Sequence, residues 1–119
     1  MQELTVAQIQ QAVREAQEAA AEAADHFFKT RLNGVDQYAC GFAWVNIWEH
    51  NGKPLKGNTK MGRAMKAAGI KQDYTRAFSI WNPSGHPAQN VDVKEAGAQA
   101  AADVFKKYGF TAYAGSRLD

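Results

Sequence analysis

Residues 38 to 49, YACGFAWVNIWE, decide the fold. Aromatic and β-branched side chains crowd this stretch, and such residues suit a pleated, half-buried ribbon better than a helix. It reads as the first strand. Side chains alternate across a strand, so Tyr38, Cys40, Phe42, Trp44 and Trp48 share one face while Ala39, Gly41, Ala43, Val45 and Ile47 share the other. Both sets are apolar, and the expectation is that both faces are covered.

Upstream of the strand lies a helix. Thr5 is placed to cap it, Gln8 to close a capping box, and Leu4 to pack on Ile9. Ile9, Val13, Ala16, Ala20, Ala23 and Phe27 then recur at three- and four-residue steps as far as Asn33-Gly34, a left-handed stop. A helix from Val6 to Leu32 is about 40 Å long at about 1.5 Å per residue, enough to span or overhang a domain of this size. Its alanine stripe allows close approach of another backbone, so pairing with a second copy as a homodimer is expected.

Downstream, HNGKPLKGN reads as a loop and Asn58 or Thr59 as the cap of a second helix that Gly69 ends. RAFSIWN is a second strand, stopped by Pro83, and Asn82-Pro83-Ser84-Gly85 fits a type I turn. Asp92 and Glu95 open a third helix, whose Val93, Ala96, Ala100 and Val104 face the core and which Gly109 closes. FTAYA is a third strand, and AYAGSRLD is expected to run off as a solvated tail.

The order α-β-α-β-α-β, with crossovers long enough to hold a helix, points to an α/β fold with a small, three-stranded, largely parallel sheet. An α+β arrangement with one strand reversed is the alternative. All 119 residues are assigned to one domain, a long alanine-rich helix over 1–34 and an αβ body over 35–119. An apolar fraction of 45% with 22% charged residues is that of a folded, soluble chain. The sequence contains no run of about 18 apolar residues and opens without a basic, apolar leader, so no membrane association is expected. Cys40 is the only cysteine and His26, His50 and His86 lack ligand spacing, so a reducing cytoplasm and no metal or cofactor are expected.

Charge is distributed unevenly. Residues 1 to 50 balance at −4, residues 51 to 76 at +6, and residues 77 to 119 at zero. Lys53, Lys56, Lys60, Arg63, Lys66, Lys71 and Arg76 supply the basic segment. On a helical wheel Lys60, Arg63 and Lys66 lie opposite Met61, Ala64, Met65 and Ala68, so they face solvent. Amphipathicity calls for polar groups there, yet not for one sign only, and such a patch attracts phosphates. Asn58 and Thr59, at a helix N-terminus after Gly57, would add N–H donors for an anion.

Catalytic candidates are His50, His86 and Arg117, which a parallel sheet would gather at the carboxyl ends of its strands. Trp44, Trp48, Trp81 and Tyr113 could stack bases on an open sheet face. Three helices have to pack somewhere, however, so these rings are assigned to the core.

The runs GFAWVNI, GNTKMGRAMKAAGI and WNPSGHPAQNVDVKEAGAQAAADVFKKYGFTAYAGSRLD resemble small hypothetical proteins encoded by tailed phages and found in marine metagenomic collections, over residues 38 to 119. The resemblance implies the cytoplasm of an infected bacterium and carries no catalytic residue with it. The expected function is a non-enzymatic module binding a polyanion, nucleic acid or a phosphorylated ligand, through residues 53 to 76. The alternatives are a factor binding a host protein and a small enzyme acting on a phosphorylated substrate.

Overall fold

The computed structural model describes residues 4–49, 51–53, 55–72 and 77–119. Along the chain run α1 (Val6–Arg31), β1 (Gly41–Trp48), α2 (Lys60–Ala67), β2 (Lys71–Gln72), β3 (Phe78–Trp81), α3 (Val91–Lys107) and β4 (Thr111–Leu118). The strands form one sheet in the order β2-β3-β1-β4, with every neighbouring pair antiparallel.

That corrects the expected three-stranded, largely parallel sheet. The parallel crossover does exist, because β1 and β2 are both antiparallel to β3 and so run the same way, with α2 between them. Its second strand is only two residues long, too short to leave a periodic signal, and β3 occupies the place between β1 and β2. The result is a β-α-β-β-α-β, or split β-α-β, arrangement behind an extra N-terminal helix.

Local expectations hold at the start of the chain. Thr5 and Gln8 form the capping box, and Gly34 at φ +75° follows the helix end. β1 starts later than expected, because Tyr38 sits at φ +67°, a left-handed conformation that no strand continues through. Asn90, not Asp92, caps α3: its side-chain oxygen accepts the Val93 N–H at 3.0 Å. The expected solvated tail AYAGSRLD instead makes up β4 from its second residue on, the strand pairing with β1 from Thr111 to Leu118.

One sheet face carries the core. Ala43, Val45 and Ile47 of β1, Phe78 of β3 and Ala112 of β4 are buried, and most of them join Phe105, Phe110, Leu55 and Met65 in one cluster. Ile9, Ala12, Ala16 and Ala20 of α1 belong to the same cluster, so the long helix lies in the helical layer with α3. The alanine stripe therefore has its partner inside the chain: a Cβ on Gly97 of α3 would stand 3.1 Å from the Ala20 carbonyl oxygen. That close approach uses the surface on which pairing with a second copy was argued. At 26 residues, about 39 Å at about 1.5 Å each, α1 spans nearly all of the 44 Å long axis. No helix among the described residues is long and apolar enough to cross a membrane.

Polar ties lock α1 to the rest. Tyr108 donates its hydroxyl to Glu15 at 2.8 Å, and the bond holds the phenol above its usual pKa. Glu15, which accepts from Gln11 as well as Tyr108, is held below the usual carboxylate range. At the other end of α1, His86 of the loop before α3 points Nε2 at Asp25, 3.5 Å away, and Lys29 of the same helix donates to Asp25 at 2.8 Å and keeps that carboxyl low.

Candidate nucleic-acid interface

Among the described residues no helix covers the other sheet face. Alternation and register put Phe42, Trp44, Asn46 and Trp48 of β1 on it, beside Ser79 and Trp81 of β3, Lys71 of β2, and Thr111, Tyr113, Gly115 and Arg117 of β4. None of these side chains belongs to either hydrophobic cluster. Trp81 remains 54% exposed, Tyr113 60% and Phe42 36%, while Trp44 and Trp48 are half-buried. This corrects the expectation that the aromatic set is core. A single helical layer covers one face only, and it covers the face with the small side chains.

The aromatics support one another. Trp44 and Trp81 are direct cross-strand partners with ring centres 5.0 Å apart, and Phe42 meets Trp81 edge-on at 6.3 Å. Such contacts restrict the rings before any ligand arrives. Gly115 makes room for the Trp44 indole, since a Cβ there would lie 2.5 Å from its Nε1. The Arg117 guanidinium carbon stands 5.4 Å from the Phe42 ring centre and 5.9 Å from that of Trp81, within cation–π range. Between the aromatic ends, the Ser79 hydroxyl bonds to the Asn46 side-chain oxygen. Among the described residues no strand position on this face bears a carboxylate, whereas Lys71 and Arg117 bear positive charge.

The basic segment is divided by the fold. Lys53, Lys56, Asn58, Thr59 and Lys66 line an open groove of about 870 Å³ beyond the end of β1, and Glu49, Asn51 and Gln72 line it too. Lys71 leaves this group for the open face. Arg63 is exposed and donates to the Asn58 carbonyl at 2.7 Å, Lys60 is exposed on α2 with an interaction of its own, and Arg76 lies outside the described residues. Thr59 spends its hydroxyl on the cap, accepting from Gly62 N–H and donating to the Lys56 carbonyl. The cap thus occupies one of the donors that an anion at this helix end would need.

The proposed catalytic gathering depended on parallel strands. In the antiparallel sheet Glu49 leaves β1 at one end, while Asn82 and Arg117 stand at the other; His50 itself lies outside the described residues. His86, with a side chain 10% exposed, packs its ring 5.0 Å from Phe28 and points Nε2 at Asp25, 3.5 Å away. Its Nδ1 accepts the Ala88 N–H at 3.1 Å. Nε2 ties the loop before α3 to α1 and Nδ1 braces the loop itself, on the helical side of the sheet, whereas Arg117 is on the other side. Cys40, expected to be buried, is exposed.

Two features of this site had a signal in the sequence. Asn46 is a polar residue in the aromatic phase of β1, the mark of a face that meets water, and Gly115 opposite Trp44 is the small partner a large ring needs. Lys94 had none: it reaches the sheet from α3. Comparison of the chain with protein-family models, curated proteins and solved structures gives no match.

Proposed function

We propose that the protein is a non-enzymatic module that binds single-stranded nucleic acid on the open sheet face. The observation that carries this reading is the aromatic row of Phe42, Trp44, Trp81 and Tyr113, exposed apart from the half-buried Trp44, with Phe42 and Trp44 both packed on Trp81 and Arg117 laid over Phe42 and Trp81. Exposed aromatic patches on soluble proteins mark interaction surfaces. Bases offer flat faces that stack on such rings for about 1–3 kcal/mol each, and four-stranded sheets with aromatics on the free face serve this purpose in RNA-recognition modules. The fold analogy is only supporting.

Single strands are favoured because the bases of a duplex are already stacked and hidden from a flat surface. Arg117 and Lys71 position phosphates at either margin, and the groove lined by Lys53, Lys56 and Lys66 adds positive potential beyond the end of β1. Stacking dominates, so base preference is weak.

Fluorescence anisotropy of labelled ten-nucleotide oligothymidine and of a duplex, at about 50 and 200 mM salt, tests the reading. The single strand binds, the duplex binds much less, and each phosphate contact contributes about −0.7 to the logarithmic salt slope. Tighter binding of the duplex, or none of either, would remove the proposal.

A further inference from the structure

Among the described residues Lys94 is a buried cation without a counter-ion. Only 7% of it is exposed, and its ammonium donates to the Gly41 carbonyl at 2.9 Å and lies 5.4 Å from the centre of the Phe42 ring. Among the described residues no carboxylate pairs with it. Glu95 is engaged with Ser116, accepting at 2.7 Å, and Asp36 with the Gln89 and Asn90 N–H groups, while Asp119, whose N–H bonds the Cys40 carbonyl beside Gly41, forms no ion pair with Lys94 among the described residues.

The placement follows from the ladder. Gly41 turns its N–H and carbonyl to the side of β1 where β3 runs, but β3 ends at Trp81, and Asn82 N–H to the Ala43 carbonyl is the last bond from that segment. The Gly41 carbonyl comes next in line, beyond the end of β3. Lys94 fills this notch from α3, with its ammonium beside the Phe42 ring. A neutral donor would satisfy the carbonyl equally well. A desolvated ammonium with one hydrogen bond out of three is costly to keep, and an oxyanion would complete it.

We propose that Lys94 and Arg117, both set against Phe42, form a phosphate subsite at the end of the aromatic face. It takes one backbone phosphate of a strand whose bases stack on Phe42 and Trp81, and to that extent it rests on the single-strand reading above. Arg117 presents a fork to the phosphate oxygens and Lys94 a point charge from within the notch. The two differ in exposure, and the buried one gives the site a fixed floor.

The test uses two probes. Inorganic phosphate, titrated into ¹⁵N-labelled protein, should produce saturating shifts at the amides of Gly41 and Phe42 and at the Arg117 side chain, and Lys94→Met should abolish them. With the ten-nucleotide oligothymidine, Lys94→Met should reduce the salt slope by about 0.7 while Lys94→Arg retains it. If wild type binds the oligonucleotide and Lys94→Met keeps the full slope, Lys94 merely finishes the ladder and the subsite is overturned. Phosphate shifts without oligonucleotide binding would uphold the subsite and sink the single-strand reading. Should Lys94→Met not fold, the wild-type phosphate titration decides alone, and absence of shifts at these groups refutes the proposal.

Discussion

The two faces of β1 differ in a way that inverts a common intuition about size and burial. Gly41, Ala43, Val45 and Ile47 face the helices and are buried; Phe42, Trp44 and Trp48, the larger set, face outward. Small residues are inside because α3 comes close: a Cβ on Gly41 would stand 2.7 Å from a Val91 methyl. Close packing of a helix on a sheet selects volume, not maximal hydrophobicity. The aromatic rings are thereby left for the face that no described helix covers, and such exposed apolar surface is the kind that marks interaction sites.

If this division is right, the faces respond differently to truncation. Phe105→Ala, in the core, should cost about 3–5 kcal/mol in urea unfolding, since Phe105 is fully buried. Trp81→Ala should change stability by no more than about 1.5 kcal/mol, the worth of its ring contacts, yet lower oligothymidine affinity about 10- to 100-fold. A Trp81→Ala variant that unfolds as readily as Phe105→Ala would erase the distinction. Within the helical layer, Ala16→Leu should overpack the seam of α1 with α3 and destabilise by about 1–3 kcal/mol, measured the same way.

The smallest effect is in pH. Because Glu15 titrates below its usual range in the folded chain, the stability it lends is present above about pH 4 and is lost as pH falls through the lowered folded value. Tyr108, raised by the same bond, lends stability that is present below about pH 10 and lost as pH rises through its folded value. Urea midpoints of wild type and Glu15→Gln should therefore differ most at neutral pH and converge at both extremes. A constant difference would exclude the Glu15–Tyr108 bond as the source.

Much of the fold was legible because it is local. The Thr5–Gln8 capping box, the Asn82–Gly85 turn with Gly85 N–H bonded to the Asn82 carbonyl, and the buried set Met61, Ala64 and Met65 of α2 all follow from short-range spacing. What escaped was non-local. A two-residue β2 has no period to detect, and without it the parallel crossover is assigned to the wrong strand and the polarity of the sheet is misread. From that error came the gathering of His50, His86 and Arg117, whereas the assumption that both faces of β1 are covered came from the apolar character of both its sets of side chains. The candidate site shared this fate: Trp44, Trp48, Trp81 and Tyr113 can be read as base-stacking groups yet are assigned to the core from sequence, because whether their face is free depends on which side α1 and α3 choose. Lys94 could not be found at all, because its meaning lies in the unpaired carbonyl of Gly41, 53 residues away.

The decisive measurement is a ¹H–¹⁵N NMR titration of the whole chain with ten-nucleotide oligothymidine at low salt. The account predicts saturating shifts at Phe42, Trp44, Trp81, Tyr113 and the tryptophan indoles, with little change at Ala101, Ala102 and Phe105 in the core. Shifts confined to the groove of Lys53, Lys56 and Lys66, with the aromatic face silent, would contradict it and return the function to the basic segment alone.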